Sequence, residues 1–389
     1  MNPGTTIFAQ ILDFIEYESF RTCVRRYDGD QRVRQLSCWE QFLAMAFAQL
    51  TYRESLRDIV VSLNAHRTKL YHSGFRSSVK RSTLADANEG RDWRIYADFA
   101  QTLIETARPL YADTDLGLDL NSSVFALDAT TIDLCLTLFP WAHFRRHKAG
   151  VKLHTLLDIQ GTIPVFIDIT DAKAGDAQVL DHIIFQPGSY VIMDRGFTDF
   201  LRLYRIHQSL SFFVIRAKSD LQFNRRQSHP IDKSSGLRSD QTIRLTGKLT
   251  SQRYPDLLRR VSYHSEEVDK RFVFLTNDFL LPPLTVAALY RQRWQIELFF
   301  KWIKQHLRIK RFFGTSANSV KTQIWIAIAV YVLAAILKKR LGLHHTLYTI
   351  LQILSTTLFE KTPVQLVFQH YDHVTSLGDP AKQLTLFDI

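Results

Sequence analysis

Cysteine is scarce in this sequence. Its 389 residues include three cysteines, Cys23, Cys38 and Cys135, and no Cys-x-x-Cys pair. This scatter excludes a disulfide scaffold and a zinc site built from cysteines, and it is typical of proteins in a reducing cytoplasm. The N-terminus also lacks a basic stretch followed by an apolar run, so we expect no signal peptide.

A long hydrophobic run is also missing. The most apolar segment, residues 324–337, has 14 residues, whereas about 20 are needed to span a bilayer. We expect a buried core helix there; a membrane-surface protein that uses this segment is an alternative. With 46% hydrophobic and 12% aromatic residues, the chain is not a disordered basic tail, and at ~100–200 residues per domain its length predicts two or three domains.

Acidic residues are outnumbered, because 38 Asp and Glu stand against 49 Lys and Arg, a formal net charge of +11. The excess is local: residues 205–260 hold 12 basic and 4 acidic residues, and residues 290–311 hold 7 and 1. A third cluster, residues 141–152, has four basic residues and no acid. One such run is usually a solvated face, but three runs in a chain that also has Trp and Tyr favour a nucleic-acid partner.

Residues 1–110 are predicted to be mainly helical. Apolar residues recur every three or four positions, for example over residues 7–20. Capping-box patterns at Thr51 and Thr83 predict two helix starts, with a turn at residues 72–74 between them. This arrangement is compatible with a helix-turn-helix DNA reader, although many helical hairpins have the same pattern.

The next part of the chain has the pattern of strands. Apolar runs at 123–128 and 189–194 each end in an aspartate, residues 151–158 and 162–169 form a strand pair, and a helix is predicted over 176–185. Strands mixed with a helix indicate an α/β sheet. Four further strands are predicted at 211–216, 241–246, 258–263 and 271–276, and two long helices within 285–341.

Two aspartates, Asp128 and Asp194, stand at the predicted ends of buried strands. Ligand sites of open α/β sheets assemble at strand ends, and two neighbouring carboxylates repel each other unless a cation lies between them. Mg²⁺ or Mn²⁺ would suit such oxygen ligands. For either residue alone, a loop-capping role is the alternative, and spacing does not exclude Asp158 and Asp168 as rivals.

A stripe of charge in residues 290–308 is the strongest signal. At ~100° per residue, a face ~80° wide collects one acid, four bases and a phenol, namely Tyr290, Arg293, Glu297, Lys301, Lys304 and Arg308. The other side is apolar: Ile296, Leu298, Phe299, Phe300, Trp302, Ile303 and Leu307. A surface helix with a Glu297–Lys301 pair, worth ~0.3–0.5 kcal/mol, is the alternative. A polyanion held by the cations, with Glu297 as third metal ligand, explains the unbalanced charge better.

These residues resemble a known family. Tyr290-x2-Arg293-x3-Glu297-x6-Lys304 resembles the Tyr-Arg-Glu-Lys signature of bacterial insertion-sequence DDE transposases, in the branch typified by insertion sequence 4. Leu127-Asp128-Ala129-Thr130 and Met193-Asp194-Arg195-Gly196-Phe197 are similar to its two Asp motifs. Residues 82–88 resemble a segment of the family's N-terminal region, and the resemblance covers roughly residues 1–345.

The resemblance implies an α/β fold: an RNase-H-like catalytic domain interrupted by a β-rich insertion and preceded by an all-α N-terminal domain. The expected division is a helical DNA-binding domain (1–110), a catalytic domain (111–205 and 282–345), a β-rich insertion domain (206–281) and a C-terminal helical tail (346–389).

The resemblance also implies a function. A DNA transposase of this kind binds the ends of its insertion sequence, cleaves them and joins them to target DNA by Mg²⁺-dependent phosphoryl transfer. Asp128, Asp194 and Glu297 would be the catalytic triad and would hold two Mg²⁺ ions, for which Mn²⁺ can substitute. The residues expected to contact DNA are Tyr290, Arg293, Lys301, Lys304 and Arg195, although a structural salt bridge is an equal alternative for Arg195.

The implied partners are double-stranded DNA, as terminal inverted repeats and as target, and a second copy of the chain in a synaptic complex. No membrane is involved, and the expected location is the bacterial cytoplasm, at the nucleoid when DNA is bound. Two alternatives stay open: an RNase-H-like nuclease that cuts without inserting, and a non-catalytic DNA-binding regulator derived from a transposase.

Overall fold

The computed structural model describes residues 4–118, 120, 122–145, 148–306 and 312–377. Arg308 of the predicted stripe, Leu307 of its apolar back and Arg146 of the third basic cluster lie outside the described residues. The chain folds into two compact units. The first, the helical unit, comprises residues 1–110 and 305–389, and the second, the sheet unit, comprises residues 111–304.

Regular structure occurs throughout the described residues. The α-helices are α1 (Ile7–Leu12), α2 (Tyr17–Arg26), α3 (Cys38–Leu50), α4 (Leu56–Ala65), α5 (Arg67–Leu70), α6 (Arg81–Gly90), α7 (Arg94–Tyr111), α8 (Phe200–Gln208), α9 (Lys248–Arg253), α10 (Pro283–Gln292), α11 (Trp294–His306), α12 (Ala317–Arg340), α13 (Leu347–Thr357) and α14 (Val364–Leu377). The strands are β1 (Val124–Leu134), β2 (His143–Arg145), β3 (Lys148–Asp158), β4 (Ile163–Asp171), β5 (Tyr190–Met193), β6 (Phe212–Arg216), β7 (Phe223–Ser228), β8 (Leu237–Leu245), β9 (Leu258–Ser265) and β10 (Lys270–Thr276). Short 3₁₀ helices occur at Tyr71–Ser73, Pro140–Ala142, Asp176–Asp181, Arg195–Phe197 and Lys233–Ser235.

The helical unit is built around α12, which packs against α3, α6 and α13. Among the described residues, α12 is the one helix long and apolar enough to cross a membrane, yet 94% of its most apolar window is buried inside the protein. The prediction of a buried core helix at residues 324–337 is therefore confirmed. Chain segments far apart in sequence meet here, since the Gln10 side chain donates to the Thr362 carbonyl (2.9 Å) and accepts from the Val364 N–H (2.9 Å).

Helix starts in the N-terminal region differ from those predicted. The Thr51 hydroxyl donates back to the Phe47 carbonyl (2.7 Å) and so belongs to the end of α3. Ser55 caps α4 instead, accepting from the Asp58 N–H (3.1 Å). Thr83 lies inside α6, which has Lys80 as its N-cap. Both capping-box predictions were therefore wrong.

The predicted helix over residues 7–20 is two helices. After α1 the N–H of Ile15 bonds the carbonyl of Leu12 (2.9 Å), an i+3 spacing that tightens the chain and ends the helix. The long helices expected within 285–341 are three, α10, α11 and α12. The helix expected over 176–185 is a 3₁₀ turn of six residues, and α8, which follows the N-cap Asp199, was not predicted.

The sheet unit contains one ten-stranded mixed sheet with the strand order β2-β3-β1-β5-β6-β10-β9-β8-β7, and β4 also pairs with β3. Strands β1, β5 and β6 run parallel to one another, and the remaining pairs are antiparallel. The protein is therefore a mixed α/β protein with a large sheet and a helical N-terminal region. The strands predicted at 211–216, 241–246, 258–263 and 271–276 correspond to β6, β8, β9 and β10, which continue this sheet.

Strand β7 was missed because it carries no hydrophobic pattern. It is the last strand in the sheet order, and five of its six residues are exposed. β7 is held in the sheet by its pairing with β8. Because both faces of such an edge strand are exposed to solvent, its sequence shows no alternation of apolar and polar residues.

Alternation along the central strands decides which face carries the functional side chains. Residues 125 and 127 of β1, 191 and 193 of β5, and 213 and 215 of β6 are buried in one apolar cluster with α8. Because successive side chains point to opposite faces, Asp128 lies on the other face. Helix α10 packs against β5, β6 and β9.

Candidate active site

Asp128 lies within β1 rather than at its end, so the prediction that it terminates a strand was wrong. β1 runs on to Leu134 because the antiparallel partner β3 pairs with it through residue 134. The parallel pairing with β5, however, stops at Leu127 and Met193. Asp128 and Asp194 thus directly follow the last paired residues of two neighbouring strands.

The Asp128 carboxylate is held on both oxygens. Its Oδ1 accepts from the Ala129 N–H (2.8 Å), and its Oδ2 accepts from Arg293 Nη1 (3.0 Å). The pKa of Asp128 is raised to about 6, mainly because the residue is buried. The backbone hydrogen bond and the charge of Arg293 lower this pKa, and the charges of Asp194 and Glu297 raise it. Asp194 and Glu297 are therefore both near enough to act on Asp128 electrostatically.

Asp194 follows β5 and precedes the 3₁₀ turn at 195–197. Its Oδ1 accepts a hydrogen bond from the Tyr290 hydroxyl (3.2 Å). The Tyr290 ring packs on Phe274 with centroids 4.8 Å apart. Burial raises the pKa of Tyr290 to about 12, so the phenol keeps its proton at neutral pH and can serve as this donor.

Glu297 reaches the site from the helical segment after the sheet. α10 ends at Gln292 and α11 begins at Trp294, but Arg293 between them keeps right-handed helical torsions (φ −56°, ψ −26°). The helical periodicity therefore continues across the break. Arg293 uses Nη1 for Asp128 and Nη2 for Glu297 Oε1, so one guanidinium joins two carboxylates that are distant in sequence.

The other residues predicted to contact DNA lie on α11 and on the 3₁₀ turn after Asp194. Lys301 is exposed and Lys304 half-buried on α11, and Arg195 is exposed on the 3₁₀ turn after Asp194. Within the described residues, no hydrogen bond or ion pair links Lys301 or Arg195 to the carboxylates. The apolar back of α11 is narrower than predicted, because Leu298 is 46% exposed while Ile296, Phe299, Phe300 and Ile303 are buried.

The chemistry of this group suits a divalent cation. As the side chains lie, the described residues contain no cluster of three or more His, Cys, Asp or Glu arranged to hold a metal. The guanidinium of Arg293 nevertheless lies between Asp128 and Glu297, so these two carboxylates already share one positive group. Carboxylate oxygens are the ligands that Mg²⁺ and Mn²⁺ prefer, and the donor set therefore fits such an ion.

The rival aspartates have local structural roles. Asp158 Oδ1 accepts from the Gln160 N–H (3.1 Å) in the turn between β3 and β4. Asp168 lies on β4, which pairs with β3 and not with β1, and its Oδ2 is 3.3 Å from His182 Nδ1. Neither contact involves Asp128 or Asp194.

The sequence pointed to the basic segment 205–260 but not to individual residues in it. The structure brings Arg216 next to the site, since the charge of Arg216 acts on the Tyr290 phenol. The register Met193–Ile215 between β5 and β6 makes Arg216 the strand neighbour of Asp194. That register could be anticipated only by knowing that β5 and β6 pair in parallel.

The chain matches two family models. The transposase DDE domain family matches residues 119–333, more than half of the chain, and a domain of unknown function (DUF4372) matches residues 3–76. The chain belongs to the transposase DDE domain family. It is a DNA transposase, an enzyme that cleaves DNA and transfers its strands, and the family generally uses divalent metal ions.

Several relatives are named as transposases. A protein of Sinorhizobium fredii, y4zB, is 33% identical over 285 residues, which are 72% of this chain and 78% of that protein. A protein of Geobacillus stearothermophilus, named for insertion sequence element IS5377, is 30% identical over 53% of this chain and 54% of its own length. A third, from a Synechocystis strain and named for element IS4SA, is 24% identical over 55% of this chain and 60% of its own length.

Among solved structures, a piggyBac transposase synaptic complex with hairpin DNA aligns over 97% of this chain and 82% of that one. The TM-score is 0.43 and the sequence identity 10%. A likeness this weak determines neither fold nor activity.

Proposed function

We propose that Asp128, Asp194 and Glu297 are the catalytic, metal-holding triad of this transposase. The observation that carries the proposal is the contact of Arg293 with both Asp128 and Glu297 while Tyr290 donates to Asp194. Arg293 and Tyr290, which are themselves in contact, together bond three carboxylates from separate parts of the chain. A helix face with only a structural role would not need a guanidinium and a phenol that bond three carboxylates.

We further propose an RNase-H-like catalytic fold and membership of the insertion sequence 4 branch with its Tyr-Arg-Glu-Lys signature. The strand order β4-β3-β1-β5-β6, three antiparallel strands followed by two parallel ones, supports the fold. In this proposal residues 206–281 form a β-rich insertion within a catalytic domain of residues 111–205 and 282–345, and the first strand of that segment, β6, also completes the catalytic sheet. Residues 1–110 bind DNA, and 346–389 form a C-terminal tail.

The proposed cofactor is a pair of Mg²⁺ ions, with Mn²⁺ as a substitute. When bound by Asp128, Asp194 and Glu297, such ions lower the pKa of an attacking hydroxyl and stabilise the leaving oxygen of an in-line displacement. The raised pKa of Asp128 reflects burial near two other acids, which is the electrostatic environment that a divalent cation relieves.

The chain's own residues position the substrate in this mechanism. Arg293 can present its planar donors to a phosphate, because its guanidinium lies at the carboxylates on a helix turn next to Tyr290. Tyr290 orients Asp194 through its hydroxyl. Lys301, Lys304 and Arg195 would add contacts to DNA phosphates, the two lysines as point charges and the arginine through its planar set of donors. Such phosphate contacts carry no sequence information.

The proposed substrates are the terminal inverted repeats of the element and a target duplex, bound by two copies of the chain in a synaptic complex. We place this activity in the bacterial cytoplasm, at the nucleoid. Recognition of the DNA sequence would depend mainly on the N-terminal helices.

The triad is tested by Glu297→Gln, which keeps the side-chain size and removes the charge. We expect this variant to bind DNA carrying the element's ends and to lose cleavage in Mg²⁺ by at least 10²-fold, because a metal ligand is lost. The end sequence can be obtained from the inverted repeats that flank the coding region.

Asp168→Asn is the matched control, since it removes a carboxylate from the same sheet at β4. It should cleave like the parent protein. Full cleavage by Glu297→Gln would overturn the triad. Strand transfer from a pre-cleaved end separates the transposase from the nuclease alternative, which would cut the ends without joining them.

A further inference from the structure

A cavity of about 220 Å³ lies beside Asp194 on the sheet unit. Five of its described lining residues are cations and none is acidic: Arg195, Arg216, Lys218, Arg260 and Arg271. They come from four separate segments, namely the 3₁₀ turn after β5, the end of β6, β9 and β10. The rest of the lining is neutral, and it includes Phe223 and Val273.

Within the described part of the chain, these five cations have no acidic partners. None of the five lies within ion-pair distance of a described carboxylate, whereas Arg202, Arg205 and Arg293 of the same unit each contact one or two. Burial lowers the pKa of Arg260, and the charge of Arg271 lowers it further, so the two guanidinium groups are close enough to repel each other. Like charges gathered without compensation cost folding free energy unless a ligand neutralises them.

Neutral groups hold the guanidinium groups in place. Arg271 Nε donates to Ser262 Oγ (2.8 Å), and Arg260 Nη1 donates to Gln241 Oε1 (3.2 Å). Arg260 also lies 5.1 Å from the ring centroid of Phe223. An arginine has five N–H donors, so each still has donors for a ligand while its side chain is already positioned.

The cavity adjoins the candidate active site through strand pairing. Met193 pairs with Ile215 in the parallel ladder of β5 and β6. Asp194 directly follows β5 and Arg216 is the last residue of β6, and such neighbouring strands lie about 4.8 Å apart. Arg195, directly after Asp194, also lines the cavity.

We propose that this cavity is a phosphate site that holds the DNA backbone next to the phosphodiester bond that is cleaved. The inference rests on the proposed function, because only the triad assignment places that bond at Asp194. Phosphodiesters are anions that arginine forks bind through two parallel N–H bonds. The cavity positions the strand and does not read its sequence.

Binding to duplex DNA in EDTA tests the site without chemistry. Lys218→Gln and Arg271→Gln change exposed residues. The slope of log K against log salt concentration is negative. If each cation neutralises one phosphate, each change reduces the magnitude of that slope by ~0.9, and the double variant reduces it by ~1.8. Arg205→Gln is the charge-matched control, since Arg205 is exposed but paired with Asp181, and it should leave the slope unchanged.

A second measurement locates the contact. Methylphosphonates, which remove the charge of one phosphate at a time, are placed along an element-end duplex. The parent protein should lose affinity at one or two positions flanking the cleaved bond, and the Lys218→Gln, Arg271→Gln double variant should be insensitive at those positions alone. Equal sensitivity of the two proteins at every position would overturn the proposal.

Inorganic phosphate and pyrophosphate distinguish a free anion from DNA as the occupant. A thermal shift of the parent protein by these anions, lost in the double variant, together with an unchanged DNA slope, would identify a free-anion site and refute DNA binding here. The triad and the phosphate site can fail separately. Cleavage by the Glu297→Gln variant would overturn the proposed function, but the salt-dependence measurements would stay valid. Unchanged salt slopes together with an inactive Glu297→Gln variant would overturn only the phosphate site.

Discussion

Arg293 and Asp128 are 165 residues apart in sequence, yet Arg293 Nη1 donates to Asp128 Oδ2 over 3.0 Å. The two side chains are 18% and 20% exposed. Their contact joins the helical segment after the sheet to the central strand β1. The geometry of the candidate site and part of the stability of the sheet unit both depend on this contact.

Arg293→Met should lower the free energy of unfolding by about 1–3 kcal/mol, because a largely buried carboxylate then loses a charged partner. Asp128→Asn and the double variant complete a cycle measured by urea denaturation. We expect a coupling energy of about 1–2 kcal/mol between the two residues. Additive effects within ~0.5 kcal/mol would contradict a direct interaction.

A second ion pair stabilises the far part of the sheet. Arg259 and Asp240 are 6% and 3% exposed, with Nη2 and Oδ2 2.7 Å apart. Arg259→Met should cost about 3–5 kcal/mol of unfolding free energy, because it leaves a buried carboxylate unpaired. Arg259→Met with Asp240→Leu should regain most of that loss, as judged by urea denaturation. A double variant as unstable as the single one would argue against the pair.

His154 predicts a dependence of stability on pH. It is 1% exposed, and burial lowers its pKa below the usual value of 6.5. The unfolded chain therefore takes up a proton before the folded one, and stability falls as the pH drops below ~6.5 toward the folded pKa.

His154→Gln is the comparison for this effect, because its amide can still bond Thr170, which His154 Nε2 contacts at 3.0 Å. Between pH 7.5 and 5.5 the parent protein should lose more unfolding free energy than this variant. Identical losses in both proteins would exclude His154 as the source.

The cysteines should differ in reactivity. Cys135 is exposed, while Cys23 and Cys38 are buried. Burial raises the pKa of Cys38 to about 12 and also raises that of Cys23. Because the thiolate is the nucleophile, iodoacetamide at pH 8 should add one group per folded chain, at Cys135, and three in urea. Mass spectrometry checks this count, and Cys135→Ser should remain unmodified when folded.

Much of the fold could be predicted from local pattern. Apolar runs indicated β1, β3–β6 and β8–β10, because buried strands concentrate β-branched and aromatic residues. The helix starts were predicted wrongly because a Thr side chain has alternative hydrogen-bond partners. Thr51 could cap a following helix, but its hydroxyl instead donates to the Phe47 carbonyl of the helix before it. Strand β7 gave no signal, because pairing rather than burial holds it.

The amino-acid sequence is sufficient to predict which side chains can cooperate on one helix face, because Tyr290, Arg293 and Glu297 follow helical spacing whatever they pack against. It also shows an excess of cations over acids in residues 205–260. The folded structure was needed to show that Arg293 contacts Asp128 as well as Glu297, and that Arg195 and Arg216 share one cavity with Arg260 and Arg271. Those pairings depend on strand order and register, which are long-range properties that a local hydrophobic pattern does not encode.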